Sequence, residues 1–234
     1  MIVSINQPAY LPWLGYFHRI AQSDAHVVLD NVQFEKNSFT NRNKVRTAQG
    51  WSWLTVPVKT SGKFGALAIA DVEIANDRDW AEKHWATLRL NYTKTPYFRE
   101  HAGFFEDIYR RTWVRLDDLT WTITEYLLRI FDILTPIYFS TRMNAIGKKD
   151  ELVLNLCREM KATVYLSGPL GRNYLREELF TEHGLSVRYD DYHHPSYTQV
   201  YSGFEPYMSA LDLLFNAGPR SREILMMNQE QVAQ

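Results

Sequence analysis

The sequence has few of the features that mark exported or membrane-bound proteins. It contains a single cysteine, Cys157, in 234 residues, and one thiol cannot form an intramolecular disulfide. The N-terminus lacks the basic and apolar segments of a secretory signal. No apolar run approaches the ~18 residues that a membrane helix needs. We therefore expect a cytoplasmic protein with no membrane span.

Excess charge and flexible linkers are scarce as well. The 26 basic and 27 acidic residues leave a net charge of −1, so the chain as a whole has no attraction to DNA or to anionic membranes. No internal repeat or Gly/Ser-rich linker interrupts it, and chains of up to ~250 residues commonly form one domain. We predict a single domain over residues 1–218 and a polar tail over 219–234 that can fray.

What the sequence does contain is a regular alternation of short β-branched runs and helical periodicity. Strands are predicted at residues 2–5, 25–29, 51–58, 69–74, 137–139, 163–166 and 186–189. Helices are predicted at 14–21, 78–91, 97–111, 116–131 and 149–160, in part of 172–183, and from Ser209. The first thirty residues form a βαβ unit, whose strands are parallel. The predicted fold class is α/β: one mainly parallel, Rossmann-like sheet flanked by helices, with a helical middle segment.

Polar and aromatic residues follow the predicted strands, at the ends where open parallel sheets bind ligands. Gln7, Tyr10 and Trp13 lie in the loop after the first strand, whereas Asp30, Gln33 and Lys36 follow the second. The carboxyl ends of parallel strands meet at one edge of a sheet. We therefore expect a shared pocket there, with the loop from Gln7 to Tyr16 as one wall.

The strand at 163–166 is followed by Ser167, Gly168 and, after a second glycine, Arg172. Backbone N–H groups and a guanidinium ahead of a helix can hold a phosphate or a carboxylate. The alternative is an ordinary turn in which glycine supplies the backbone angles. The Walker spacing is absent, so the segment is not a P-loop.

The last predicted strand leads into a loop that contains His193, His194, Tyr197 and Gln199. An imidazole is a natural proton shuttle near neutral pH, which makes His194 a candidate general base; otherwise it binds a backbone carbonyl. Adjacent histidines in an extended segment point to opposite sides, and no metal-binding spacing accompanies them. We predict no metal site. Cys157, within an apolar helical stripe, is interpreted as buried and inert.

A basic, amide-rich stretch follows the second strand. Lys36, Arg42 and Lys44 belong to it, with Asn41 and Asn43 between them, and suit an anionic substrate such as the pyrophosphate of a nucleotide sugar. A solvated surface explains the same pattern equally well, because exposed lysines and arginines are common.

Several of these motifs, in this order, resemble the WbqC-like family of bacterial proteins. The motifs span nearly the whole chain and are Asn6–Phe17, Ser23-Asp24, Asp30–Phe34 with Lys36, Arg42-Asn43, Trp53–Pro57, Tyr165–Gly168, Gly171-Arg172, Tyr174-Leu175, His194-Pro195, Tyr197, Gln199, Phe204, Ser209 and Asp212–Asn216 with Gly218. The resemblance implies a role in O-antigen or related surface-polysaccharide biosynthesis, where such proteins are suggested to transfer glycine or another aminoacyl group to a sugar.

The resemblance and the polar clusters together suggest an acyltransferase that modifies an amino or hydroxyl group of an activated sugar. Such a reaction needs a general base, oxyanion donors and a cationic clamp. We assign His194 or Asp30 as the base and Gln7 as an oxyanion donor. The predicted substrate-binding residues are Tyr10, Trp13, Gln33, Lys36, Arg42, Asn43, Ser167, Gly168, Arg172, Tyr197 and Gln199.

No metal or redox cofactor is expected, and the acyl donor is left open. It is a nucleotide-activated amino acid, a carrier-protein thioester or an aminoacyl-tRNA, and the acceptor is an activated sugar or sugar nucleotide. One alternative is a non-catalytic protein of the same pathway that binds a sugar nucleotide or a carrier protein. Another is a nucleotidyltransferase-like enzyme, although the HxGH motif of such folds is replaced here by Trp13-Leu14-Gly15-Tyr16.

Overall fold

The computed structural model describes residues 1–60, 62 and 65–227. Its strands are β1 (Ile2–Asn6), β2 (Ala25–Val28), β3 (Arg42–Thr47), β4 (Gly50–Thr55), β5 (Ile137–Phe139), β6 (Val164–Ser167) and β7 (Ser186–Tyr189). Its α-helices are α1 (Leu14–Ala21), α2 (Trp80–Tyr92), α3 (Phe98–Arg110), α4 (Leu116–Ile130), α5 (Asp150–Glu159), α6 (Glu177–Thr181), α7 (Ala210–Ala217) and α8 (Ser221–Leu225). None of these helices combines the length and apolar character that a bilayer crossing requires.

The main sheet has five strands in the order β5-β2-β1-β6-β7, and every pair in it is parallel. From β1 the chain moves to β2 on one side and later to β6 on the other, so the direction of winding changes between β1 and β6. Val3 shows this central position, because it pairs with Ala25 on one side and with Tyr165 on the other. The predicted α/β fold with a parallel, helix-flanked sheet is confirmed.

The core lies on both faces of this sheet and extends into the helical middle segment. Val3 and Ile5 of β1 pack with α5 in one buried cluster. The other cluster joins α1 to α2, α3, α4 and α7, and stacked aromatic rings such as Trp85 and Tyr109 connect α2 to α3. The helical layer therefore supports α1, the helix that follows β1.

Two segments differ from the sequence-based expectation. The strand predicted at 69–74 is wrong: Ile69–Asp71 is a 3-10 turn, and only isolated bridges at Glu73 and Ile74 follow it. The predicted strand at 51–58 exists as β4 but pairs with β3 in a separate antiparallel hairpin. Nothing in the periodicity of Arg42–Thr47 indicated β3, because four of its six residues are charged or amide side chains.

The C-terminal part packs onto the fold before the chain leaves the described residues. Ser209 caps α7, since its Oγ accepts a hydrogen bond from the N–H of Leu211 at 3.3 Å. In α8, Ile224 and Leu225 are buried. The segment predicted as a polar tail thus begins within packed structure, and its last part, residues 228–234, lies outside the described residues.

Candidate functional site

A cavity of about 850 Å³ opens beyond the carboxyl ends of β1 and β6. This is the point where the winding of the sheet changes direction, the usual ligand position in open α/β folds. Strand ends, the loop before α1, β3 and the turn after β6 all contribute to its walls. The lining residues are Ile5, Asn6, Gln7, Trp13, Arg19, Leu29, Glu35, Phe39, Lys44, Val153, Tyr165, Ser167, Gly168, Pro169, Leu170, Gly171, Tyr174 and Tyr207.

The guanidinium of Arg19 is fixed in one wall of this cavity. Its Nη1 donates to Oδ1 of Asn6 at 2.7 Å, and its Nε lies 3.9 Å from Oδ2 of Asp190. A Cβ at position 168 would lie 2.6 Å from Arg19 Nη1, so only glycine leaves room for the guanidinium there. His18 holds the other oxygen of Asp190 at 2.9 Å. A cation is thereby positioned between the ends of β1 and β6.

Aromatic rings form a second wall, called here the aromatic wall. The Trp13 and Tyr207 ring centres are 5.8 Å apart, and Phe39 also lines the cavity. The Trp13 indole covers the start of α1 so closely that a Cβ on Gly15 would lie 2.2 Å from it. Tyr207 has a φ of 61°, a left-handed conformation that costs a bulky residue energy. Flat apolar surfaces of this kind suit stacking against a sugar or a base.

Two further charged side chains line the cavity. Lys44 comes from β3 and Glu35 from the loop before it. Together with Arg19, the described lining carries two cations and one carboxylate, a balance that favours an anionic ligand. Main-chain hydrogen bonds hold this wall in place: Ser209 N donates to Lys44 O at 2.8 Å, and Ala210 N donates to Pro12 O at 2.8 Å.

Four of the residues predicted from the sequence line this cavity. Gln7 is exposed and follows β1, Trp13 lies in the aromatic wall, and Ser167 and Gly168 follow β6. The turn after β6 is tight, because a Cβ on Gly171 would lie 2.1 Å from Ser167 Oγ. The loop after β1 and the turn after β6 thus meet, although their functional roles stay predictions.

Asp30, Tyr10 and Asn43 lie outside the cavity lining and make internal hydrogen bonds. The Asp30 carboxylate accepts from Ser140 Oγ at 2.8 Å and from Thr141 N at 2.8 Å, which joins the ends of β2 and β5. The Tyr10 hydroxyl is fully buried beside His84 and Tyr109, whereas Asn43 donates to the Leu11 carbonyl at 2.6 Å. These groups position the backbone around the cavity.

His194, Tyr197 and Gln199 lie behind the aromatic wall. The His194 ring centre is 5.5 Å from that of Tyr207, and burial lowers the pKa of its imidazole. Tyr197 and Gln199 both donate to Asp212 Oδ2, at 2.9 and 2.8 Å. Burial raises the pKa of Asp212 to about 6. His194 thus contacts Tyr207, which lines the cavity, whereas His194, Tyr197 and Gln199 are not among the lining residues.

The remaining predicted residues are distributed over the surface. Arg172 forms a two-pronged ion pair with Asp191 at 2.6 and 2.7 Å. Gln33 and Lys36 line a separate depression of about 570 Å³, which shares Glu35 with the main cavity. The Arg42 guanidinium carbon lies 4.3 Å from the centre of the Trp53 ring. These side chains are therefore not gathered at the cavity.

Arg19, Glu35 and Tyr207 line the cavity but were not identified from the sequence, whereas Lys44 was named in the basic stretch without being assigned to this cavity. Arg19 is one helical turn after Gly15, and residues four apart lie on the same helix face, so the Gly15–Arg19 spacing was an available signal. Lys44 required recognition of β3. Glu35 and Tyr207 lie in loops whose side-chain directions follow from tertiary contacts alone.

Metal-binding groups are not gathered in the described part of the chain, where no three His, Cys, Asp or Glu residues are placed to hold an ion. Cys157 is buried in α5, and burial raises the pKa of its thiol to about 12. A thiol with so high a pKa is a poor nucleophile at neutral pH.

Comparison with known proteins places the chain in a family. The model of the WbqC-like protein family matches residues 7–224. The chain belongs to the WbqC-like family. The protein named uncharacterized protein Rv1507c, from Mycobacterium tuberculosis, is 36% identical to this chain over 225 residues. The match covers 95% of this chain and 96% of the relative. No solved structure matches the chain.

Proposed function

We propose that this WbqC-like protein is a cytoplasmic acyltransferase that attaches an aminoacyl group to an activated sugar during surface-polysaccharide or glycoconjugate biosynthesis. The observation that carries the proposal is the cavity between β1 and β6, in which Arg19 and Lys44 face aromatic rings. A sugar nucleotide presents the same combination of anionic phosphates and flat rings. Family membership supports the pathway, and the cavity supports the substrate class.

Charge at the cavity wall suits the phosphates of such a substrate. Arginine and lysine form charge-assisted hydrogen bonds with phosphate oxygens, and Arg19 is held by Asn6 before any ligand arrives. Because the guanidinium is already held in place, it loses little conformational entropy when the ligand binds. The nucleotide or sugar ring then stacks on Trp13 and Tyr207, which leaves the reacting amino or hydroxyl group within the cavity.

Glu35 is the candidate general base, because it is among the residues that line the cavity, whereas Asp30 and His194 are not. In the proposed step the acceptor nitrogen or oxygen attacks the carbonyl carbon of the acyl donor and loses its proton to Glu35. The new bond forms at that carbon, and the bond to the leaving group breaks. The side-chain amides of Asn6 and Gln7 are the candidate donors to the developing oxyanion.

The test is to incubate the protein with amino-sugar nucleotides and a panel of aminoacyl donors, and to follow the acceptor by mass spectrometry. We expect a product heavier by one aminoacyl residue. The Glu35→Gln variant should lose it, while Glu182→Gln, which changes an exposed carboxylate outside the cavity lining, should keep it. An unchanged acceptor with every donor, despite measurable binding of the sugar nucleotide, would instead indicate a non-catalytic binding protein.

A second candidate, nucleotidyl transfer, is favoured by the strand order. In chain order the sheet reads third, second, first, fourth and fifth strand, the arrangement in which nucleotides bind between the first and fourth strands. Release of pyrophosphate from ATP or CTP in the presence of a sugar phosphate would support this candidate, and its absence would remove it.

A further inference from the structure

The outer face of the β3–β4 hairpin carries cations and aromatic rings in alternation. Lys44 pairs with Trp53 across the two strands, and side chains alternate between faces, so Arg42 and Trp51 share that face. The Arg42 guanidinium carbon lies 4.3 Å from the Trp53 ring centre, and Lys44 Nζ lies 4.2 Å from that of Trp51. We call these four residues and the neighbouring Phe39 the hairpin strip.

The hairpin strip is partly exposed, with Arg42, Lys44 and Trp53 half-buried, and it is continuous with the cavity. Phe39 and Trp51 are 53% and 43% exposed, unusual values for side chains that gain so much from burial. The Trp53 ring centre lies 5.8 Å from that of Phe39 and 5.8 Å from that of Trp51. Phe39 and Lys44 also line the cavity. A ligand that enters the cavity past Phe39 can therefore extend along the strip.

The chemistry of the strip indicates which class of ligand would extend along it. Alternating cations and flat rings bind single-stranded nucleic acids, because phosphates pair with the cations and bases stack on the rings. The five side chains contain no carboxylate or amide that would bind the hydroxyl groups of a glycan. The net charge of the chain is close to zero, yet both charged residues of the strip are positive.

We propose that the hairpin strip binds the single-stranded 3′ end of an RNA that carries the aminoacyl group, and that the terminal nucleoside enters the cavity. This inference rests on the proposed acyl transfer and names its donor. Phosphates of the last nucleotides lie along Arg42 and Lys44, and their bases stack on Trp51 and Trp53. The donor thus reaches the same space as the sugar acceptor.

An aminoacyl ester supplies an acyl group that is already activated. The acceptor amino or hydroxyl group attacks the ester carbonyl carbon, and the carbon–oxygen bond to the terminal ribose breaks. The ribose oxygen leaves with a proton, so the RNA is released with a free hydroxyl group. Acceptor and aminoacyl-RNA are the only reactants, and atoms and charge balance.

The test measures fluorescence anisotropy of a labelled, short single-stranded RNA that ends in CCA. We expect Trp51→Ala and Trp53→Ala each to weaken RNA binding about 10-fold, because each ring stacks on a base. Binding to the unaltered protein should weaken as salt rises, because phosphate contacts release counterions. Tyr138→Ala is the matched control, since Tyr138 is an equally exposed ring (43%) on β5, away from the strip.

Two further measurements separate the possible outcomes. If the RNA binds equally well to Trp51→Ala and Trp53→Ala, or if an acidic oligosaccharide binds to the strip in place of RNA, the inference is overturned. Trp51→Ala should keep the melting temperature of the parent, because its ring is exposed, and both variants should keep the sugar-nucleotide affinity of the parent, because neither ring lines the cavity. If the protein binds RNA through the strip but does not bind sugar nucleotides, RNA binding by the strip is supported and the sugar nucleotide is refuted as the acceptor.

Discussion

The Arg19 guanidinium occupies the space that any side chain at position 168 would need. A Cβ there would lie 2.6 Å from Nη1, and the next nearest guanidinium atoms are at 2.9 and 3.0 Å. Helix α1 and the turn after β6 are thereby fitted to each other through one cation.

The first prediction concerns the charge of Arg19. Arg19→Gln should weaken sugar-nucleotide binding by about 10- to 100-fold, because a hydrogen bond to a charged group contributes about 1.5–3 kcal/mol. Isothermal titration calorimetry measures the change. Arg172→Gln is the control, since Arg172 is exposed and paired with Asp191 outside the cavity lining. Equal losses in the two variants would contradict a role for the cavity cation.

The second prediction concerns Gly168. Gly168→Ala should displace the Arg19 guanidinium from Asn6 and weaken ligand binding about 10-fold, because the positioned hydrogen bonds to the ligand are lost. Gly103→Ala, on α3, has open space around its Cβ and should stabilise the protein by up to ~1 kcal/mol, as alanine does in helices. Isothermal titration calorimetry measures the ligand affinity of Gly168→Ala, and thermal unfolding measures the stability of Gly103→Ala. Undiminished affinity in Gly168→Ala would show that the guanidinium position is unimportant.

The third prediction compares two candidate bases. Glu35→Gln should lower kcat of the proposed transfer by about 10²- to 10⁴-fold, the usual contribution of a general base, with little change in KM. His194→Gln should have a smaller effect on kcat, because His194 contacts Tyr207 but does not itself line the cavity. Steady-state kinetics on both folded variants decides between them. A larger loss of kcat in His194→Gln would indicate that His194, in the loop after β7, is the general base.

The fourth prediction concerns the stability of the protein at acidic pH. Burial lowers the pKa of His26 to about 3 and that of His84 to about 4, whereas histidines in the unfolded chain titrate near ~6.5. Between these values the unfolded state binds more protons, so the free energy of unfolding falls as pH falls. Each histidine should contribute a loss of about 2 kcal/mol between pH 7 and 5.

Asp212 has the opposite effect on how the free energy of unfolding depends on pH. Its pKa of about 6 lies above the unfolded value, so its contribution is present at low pH and is lost as pH rises through about 6. Urea unfolding at pH 7 and pH 5 tests both signs. His26→Gln should lose less stability on acidification than the parent protein, and Asp212→Asn should lose more. The reverse order would show that these groups are not buried in the assigned charge states.

The sheet was predictable from the sequence because buried parallel strands are short apolar runs. Ile2–Asn6, Ala25–Val28 and Val164–Ser167 are such runs, and their ends located the cavity wall at Gln7, Ser167 and Gly168. The strand β3 was not predictable, since its outward residues are charged. Its position depends on pairing with β4 and on packing against α2 and α7.

The side chains that face the cavity were harder to predict than its location. Asp30 and Asn43 have the polar character of site residues, yet both form hydrogen bonds inside the fold. Arg19 lies on a helix with buried neighbours and was overlooked, although Gly15 one turn earlier marks the same face. A sequence shows which residues have suitable chemistry, whereas the direction of each side chain depends on contacts distant in the chain.

Main-chain hydrogen bonds around Ser209 have a consequence for how this cavity can change during evolution. The amides of Ser209 and Ala210 connect the strand of Lys44 to the loop of Pro12, and these bonds form whatever side chains the residues carry. Replacements at Trp13, Lys44 or Tyr207 can therefore alter ligand preference while the backbone connection between β3 and the loop before α1 is preserved. Proline, which has no N–H to donate, is the substitution at 209 or 210 that this arrangement excludes.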